Sequence, residues 1–368
     1  MRIEHLELRW IRMPLVVPFR TSFGTSRTKD TFLLRVVTPD AEGWAECGAE
    51  PDPLYSAEFL AGAEIVLRDH LVPRVLALGD RLSAARVATA LAPVKGHPMA
   101  KHALETALLD AELRAGGWSF GRYLGAVRER VPAGVSVGIM DSVPELVEAV
   151  GGYLAEGYLR IKLKVEPGWD VEPVRAVREA YGDDLLLQVD ANTAYRLSDA
   201  RHLQRLDDLD LLLIEQPLPE DDLRGHAALA RQLRTPVCLD ESITSARDAA
   251  TAIAMGACSV VNIKPSRVGG YLEARRIHDV AAAHGVPVWC GGMLECNIGR
   301  APNVALAALP NFVLPGDTSA SSRYFAQDLT TPFELEDGHL AVPTGPGIGV
   351  EVLRDVLDAV TVSRTTLV

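Results

Sequence analysis

The chain has 368 residues, 48% hydrophobic and 23% charged, the composition of a folded globular protein with ample chain for a large core. A formal net charge of −12 argues against a nucleic-acid or anionic-membrane surface, since both need clustered lysine and arginine. No apolar run reaches the roughly 18 residues that span a bilayer, and the first residues alternate charge with hydrophobe, so a cytoplasmic location is expected.

The first elements are "RIEHLELRWIRMPL" and "FLLRVVTPDAEGWAECG", which predict strands with a turn at Asp40 to Gly43. Between them "PFRTSFGTS" (18–26) carries Phe19 and Phe23 and reads as a loop able to close over a site. Helical periodicity follows near 56–77 and 98–116, which makes residues 1–130 an α+β domain. From there the pattern changes. Short β-branched runs begin near 135, 160, 185, 211, 236, 260, 286 and 312, and amphipathic stretches separate them. Alternation with right-handed crossovers gives parallel strands, and eight such units favour a closed barrel over an open doubly wound sheet.

After the eighth run, "TSASSRYFAQDLTTPF" lacks a helical pattern, so the last unit is expected without its helix. The barrel is placed at 131–324. The tail, 325–368, with strand-like "FELEDGHLAVP", is expected to return to the first domain. Cys47, Cys238, Cys258, Cys290 and Cys296 are scattered and form no C-x-x-C pair, which predicts reduced, buried thiols. His278 and His284 fall on a helical stretch and are expected at the surface.

Barrel sites lie at the C-terminal ends of the strands, and there the charged residues recur in register. "RIKLKV" places Lys162 and Lys164 on one strand face, "QVDAN" ends in Asp190 and Asn192, "LIEQP" holds Glu215, "CLDES" Asp240 and "VNIKP" Lys264. Asp190, Glu215 and Asp240 are spaced 25 residues apart, each after an apolar run. Three carboxylates at one barrel mouth repel unless a cation joins them, and all-oxygen ligands suit Mg²⁺, with Mn²⁺ or Co²⁺ as substitutes. The lysines of strands two and six then read as a pair of bases for removing a proton α to a carboxylate, through an enediolate. A lysine base must be neutral, which means lowering its pKa from about 10.4 to near 7, about 4 kcal/mol. Burial and neighbouring positive charge, here Lys162 and Arg267, are the expected means.

With these residues the chain resembles the enolase superfamily, in its muconate-lactonizing branch. The resemblance implies a (β/α)₇β barrel, a modified TIM barrel, under an α+β capping domain. It implies Asp190, Glu215 and Asp240 as metal ligands and Lys164 and Lys264 as the acid/base pair. Within the branch, "VSVGIM", "KPSRVGGYLEA", "VWCGGM" and "LPGDTSASSRYF" are similar to the N-acylamino acid (N-succinylamino acid) racemases and o-succinylbenzoate synthases. Arg267 is similar to the arginine of the racemizing members. Ser136, Gly292, Met293 and Asp317, with Phe19, Phe23 and Tyr55 from the cap, are the implied substrate contacts, and Lys162 and Asn192 the implied neighbours of the reacting groups. The implied activity is racemization of N-acylamino acids by an isomerase of small carboxylate substrates. The alternatives are o-succinylbenzoate synthesis for menaquinone, dipeptide epimerization and muconate cycloisomerization. A homo-oligomer is implied by the family alone. Cys296 and Asn297 depart from the Ser/Thr-Gly usual at those positions. No histidine ends the seventh strand, so the mandelate-racemase type of base is not expected.

Overall fold

A computed structural model describes residues 1–368. The chain opens with a long hairpin of β1 (His5–Thr21) and β2 (Gly24–Val37), followed by β3 (Glu42–Glu46), which pairs antiparallel with β2. The hairpin register breaks between Pro14 and Phe19. Pro14 and Pro18 flank the break and lack the N–H that a ladder needs. The stretch 18–26 is therefore the end of a paired hairpin with a turn at Ser22 and Phe23, where the sequence had suggested a free loop.

Helices Leu60–Val66, Val72–Leu76 and Ala84–Leu91 lead to the longest, Pro98–Gly116, which is buried along most of its length. It packs so closely on β3 that a Cβ at Gly43 would stand 2.1 Å from the Ala107 carbonyl oxygen, so only glycine fits there.

A short β4 (Arg130–Pro132) leads into seven parallel strands: β5 (Gly134–Val137), β6 (Arg160–Lys164), β7 (Leu186–Asp190), β8 (Ile214–Glu215), β9 (Val237–Leu239), β10 (Val260–Ile263) and β11 (Val288–Cys290). They lie side by side in chain order, and a helix follows each of them. The eighth stave is not a regular strand. Phe312 bridges Val288 of β11 and Gly316 bridges Ala133 beside β5, so the segment spans the gap between the two sheet edges. Pro315 interrupts any ladder there, and only a 3₁₀ turn, Ser321–Arg323, follows. The result is a (β/α)₇β barrel with an α+β cap.

Period 2 divides the strands. Ile161, Leu163, Leu187, Val189, Val261 and Ile263 face outward into the large core shared with the helices. Leu213, Cys238, Val260 and Trp289 form a small separate cluster. The Trp289 ring lies 5.1 Å from the Arg160 guanidinium and 4.7 Å from the Lys162 ammonium, cation–π contacts inside the ring of strands.

The stretch 333–343 does not pair with the cap sheet: its β12 (His339–Ala341) pairs with β4. The strand that joins the cap sheet is β13 (Thr361–Thr366), antiparallel to β1. All five cysteines are free and buried. His284 is exposed, but His278 is buried, stacks on Phe312 and accepts from the Asn311 N–H at 3.1 Å, because its helix turns that face onto the closing segment. No helix is long and apolar enough to cross a membrane.

Candidate active site

The pocket opens at the C-terminal ends of the barrel strands, under the cap. Lys162, Lys164, Asn192 and Lys264 form its reactive end. Ser136, Gly292, Met293 and Asp317 line it from the barrel, and Phe19, Phe23 and Tyr55 from the cap and the loop beyond it. Asp190, Glu215, Asp240 and Arg267 lie beneath, each 5% exposed or less. Every candidate site residue named from the sequence thus lies in this pocket or among the buried groups in contact with its lysines.

The carboxylates are engaged by the protein's own cations. Lys162 Nζ stands 3.3 Å from Asp190, 3.1 Å from Glu215 and 2.7 Å from Asp317. Lys164 Nζ donates to Asp190 at 2.6 Å and to the Asn192 side-chain oxygen at 2.7 Å. Lys264 Nζ lies 2.7 Å from Asp240 and donates to the Tyr55 hydroxyl, which donates to Asp240 at 3.1 Å. Arg267 approaches the other Asp240 oxygen at 3.7 Å.

Charge state follows from this crowding. Burial alone would raise Asp190 and Asp240, but Lys164 and Lys162 hold the first, and Lys264 and Arg267 the second, below the ordinary carboxylate range. Glu215 is pushed up to about 8, by burial first and by Asp190 next. The sequence suggested that the lysines would be depressed. Burial does work against their charge, but Asp317 and Glu215 outweigh it at Lys162, and Asp240 and Tyr55 at Lys264, so both stand above the ordinary lysine value.

As the side chains stand, no three His, Cys, Asp or Glu residues form a ready metal cage. The donor set nevertheless fits a hard divalent cation. Three oxygen-only side chains, at most 1% exposed, occupy consecutive strands, and Asp190 and Glu215 are direct register partners. The Asp240 Oδ1 has no hydrogen bond, and an ammonium group already stands between Asp190 and Glu215.

Several contributors escaped the sequence reading. Asn262 donates to Glu215 at 2.6 Å, and Arg160 to Asp317 at 2.9 Å. Both sit two residues before a chosen lysine, on the same inward face, so period 2 could have found them. Glu241 accepts from Asn192 at 2.9 Å. Thr21, Ser26, Glu50, Leu294, Glu295 and Tyr324 also line the pocket, and no local pattern marks them. Asn192, Gln216 and Leu294 adopt positive φ (41°, 37° and 56°), conformations costly for non-glycine residues and concentrated at these strand ends.

A barrel of this build, with carboxylates on strands three to five and lysines on strands two and six, defines a class, and comparison with known proteins gives the same class. Residues 145–356 match the family described as "Enolase C-terminal domain-like", and residues 6–125 the "Mandelate racemase / muconate lactonizing enzyme, N-terminal domain". The chain belongs to the enolase superfamily. It is 64% identical over 364 residues to an N-succinylamino acid racemase of an Amycolatopsis species, covering 99% of both chains. It is 47% identical to an o-succinylbenzoate synthase of Geobacillus kaustophilus, covering 96% of this chain and 94% of that one. A solved enolase-superfamily structure from Listeria innocua superposes with a TM-score of 0.95 at 39% identity, covering 100% and 99% of the two chains.

Proposed function

We propose that this protein is a divalent-metal-dependent racemase of N-acylamino acids, in which Lys164 and Lys264 exchange the α-proton on the two faces of the substrate. The observation that carries the reading is the grouping of both lysines at the closed end of one pocket, directly above three buried carboxylates. Asp190, Glu215 and Asp240 would hold the cation, Mg²⁺ by the preference of an all-oxygen set. When bound, it supplies the charge that offsets the second negative charge formed on the substrate carboxylate as the α-proton leaves.

The protein's own groups do the rest. One lysine accepts the α-proton and the other returns a proton to the opposite face. A cation held by Asp190, Glu215 and Asp240 would offset the pull that Asp240 exerts on Lys264 and so bring that base closer to its working state. Asn192 positions Lys164, and Tyr55 positions Lys264. Phe19, Phe23 and Tyr324 limit water around the transferred proton, with Phe23 and Tyr55 packed at 5.7 Å between ring centres.

A second reading, dehydration to o-succinylbenzoate, is favoured by the 47% identical synthase and begins with the same proton removal. The deciding experiment follows the α-proton of each enantiomer of N-succinyl-phenylalanine and N-acetyl-methionine by NMR in D₂O with Mg²⁺, together with optical rotation. Joint loss of both signals supports racemization. If both persist while the cyclohexadiene precursor of o-succinylbenzoate is dehydrated, the second reading replaces the first.

A further inference from the structure

One buried lysine has no part in proton transfer. Lys29 lies on β2 of the cap, is 2% exposed and does not line the pocket. Burial works against its charge, but Glu50, Glu46 and Glu295 outweigh it and keep it an ammonium. A lysine that served only to balance charge would stand nearest a carboxylate. Instead Glu46 is 3.7 Å away, while Lys29 Nζ donates at 2.8 Å to the backbone carbonyl of Met293, in the loop after β11.

That loop forms one wall of the pocket through Gly292, Met293, Leu294 and Glu295. The barrel fastens its far end, since Arg300 donates to the Glu295 carbonyl at 2.8 Å and Asn303 to the Glu295 side chain at 3.0 Å. Gly292, Met293 and Leu294 lack such support. None of them makes a backbone–backbone hydrogen bond, and the Lys29 ammonium supplies the one hydrogen bond that reaches their main chain. Leu294 is held at φ 56°, a conformation that a leucine keeps only where its surroundings impose it. The Met293 side chain, 5% exposed, packs in the cap core, whose other members all come from residues 6–108. This barrel loop is thus anchored in the cap by side chain and main chain together, and the main-chain anchor is a charged donor.

We infer that Lys29 is a positioning residue: it fixes the 292–294 wall of the pocket and thereby sets how tightly the substrate is held. The inference rests on the racemase reading for the substrate it concerns. Lys164 and Lys264 are placed by Asp190, Asn192, Asp240 and Tyr55, all outside this loop, so the proton-transfer step is expected to survive a shift of the wall.

The test is steady-state racemization of N-succinyl-phenylalanine with Mg²⁺ by Lys29→Met, which removes the donor and keeps an unbranched side chain of nearly the same length. KM is expected to rise about tenfold while kcat stays within about threefold of the wild type, the mark of binding lost equally from ground and transition states. KM does not depend on how much of the sample is folded, so a variant that merely folds poorly lowers the apparent kcat and leaves KM in place. An unmoved KM overturns the inference whatever happens to kcat. A kcat that falls as far as KM rises overturns it too, because the reacting lysines would then have moved with the wall. If the wild type exchanges no N-acylamino acid, the racemase reading falls by itself, and the same comparison of KM with kcat for dehydration of the cyclohexadiene precursor decides the role of Lys29.

Discussion

Lys162 Nζ lies 2.7 Å from Asp317 Oδ2, and Arg160 Nη1 lies 2.9 Å from Asp317 Oδ1, so one carboxylate on the closing segment holds two cations from a single strand face. Both cations are at most 1% exposed, and the arrangement ties β6 to the irregular eighth stave of the barrel.

Replacing Asp317 by Asn keeps the shape and leaves Arg160 and Lys162 with one negative partner fewer. Breaking a buried pair costs about 3 kcal/mol, because the remaining charge stays out of water. Asp317→Asn is expected to lower the unfolding free energy by that amount, read as a lower urea midpoint at unchanged slope. A midpoint equal to the wild type would show that Asp190 and Glu215 suffice for Lys162 and that the tie is unimportant to stability.

The two lysines should separate by enantiomer. Lys164→Ala and Lys264→Ala are each expected to abolish racemization, with a loss of about 10³-fold, while α-proton exchange survives for one enantiomer in the first variant and for its antipode in the second. Proton NMR in D₂O with each pure enantiomer reads this directly. A variant that still racemizes would show that a single group serves both faces.

Metal binding has a readout apart from turnover. Mg²⁺ at about 100 times its dissociation constant should stabilize the fold by about 2.7 kcal/mol, seen as a rise in melting temperature that excess chelator reverses. Asp240→Asn removes a carboxylate that Lys264 and Tyr55 now engage, and the Mg²⁺-dependent rise is expected to shrink or vanish. An equal rise in this variant would place the cation elsewhere.

Glu105, on the cap helix, accepts from the Leu272 N–H at 3.1 Å at the start of a barrel helix and is 2% exposed. Burial pushes it up to about 7, although the Leu272 and Tyr271 N–H groups and Arg276 pull it down. The folded state therefore holds its proton more tightly than the unfolded chain. This group's contribution is fully present below the unfolded value near 4.5 and is lost as pH rises through about 7. The loss is on the order of 3 kcal/mol. Glu105→Gln should remove it, so the stability difference between wild type and variant is expected to shift in the variant's favour from pH 4.5 to 7.5. Parallel stability curves would place the folded pKa near the unfolded one.

Much of the barrel was legible because its signals are local. β-branched runs alternating with amphipathic stretches produce strands and helices wherever they occur, and period 2 puts Lys162 and Lys164 on one face irrespective of neighbours. The missing eighth helix could be read from a segment with no helical pattern. The hairpin end at 18–26 could not, since Gly24, Ser26 and two prolines look like loop residues until β2 is seen pairing across them. The buried state of His278 depends on Phe312, 34 positions away along the chain, and no local property announces it.

The sequence by itself determined which chemistry is present: lysines and carboxylates at a repeating register, fixed by the 25-residue spacing and the pleat of each strand. Only the tertiary structure decided how those charges pair and what surrounds them. Lys162 meets Asp317 because the barrel closes, Lys264 meets Tyr55 because the cap lies over it, and Glu50 and Glu295 line one pocket because a cap segment and a barrel loop both border it. Such contacts join residues 155 to 245 positions apart, and their energies exist only after the chain has brought them out of water together.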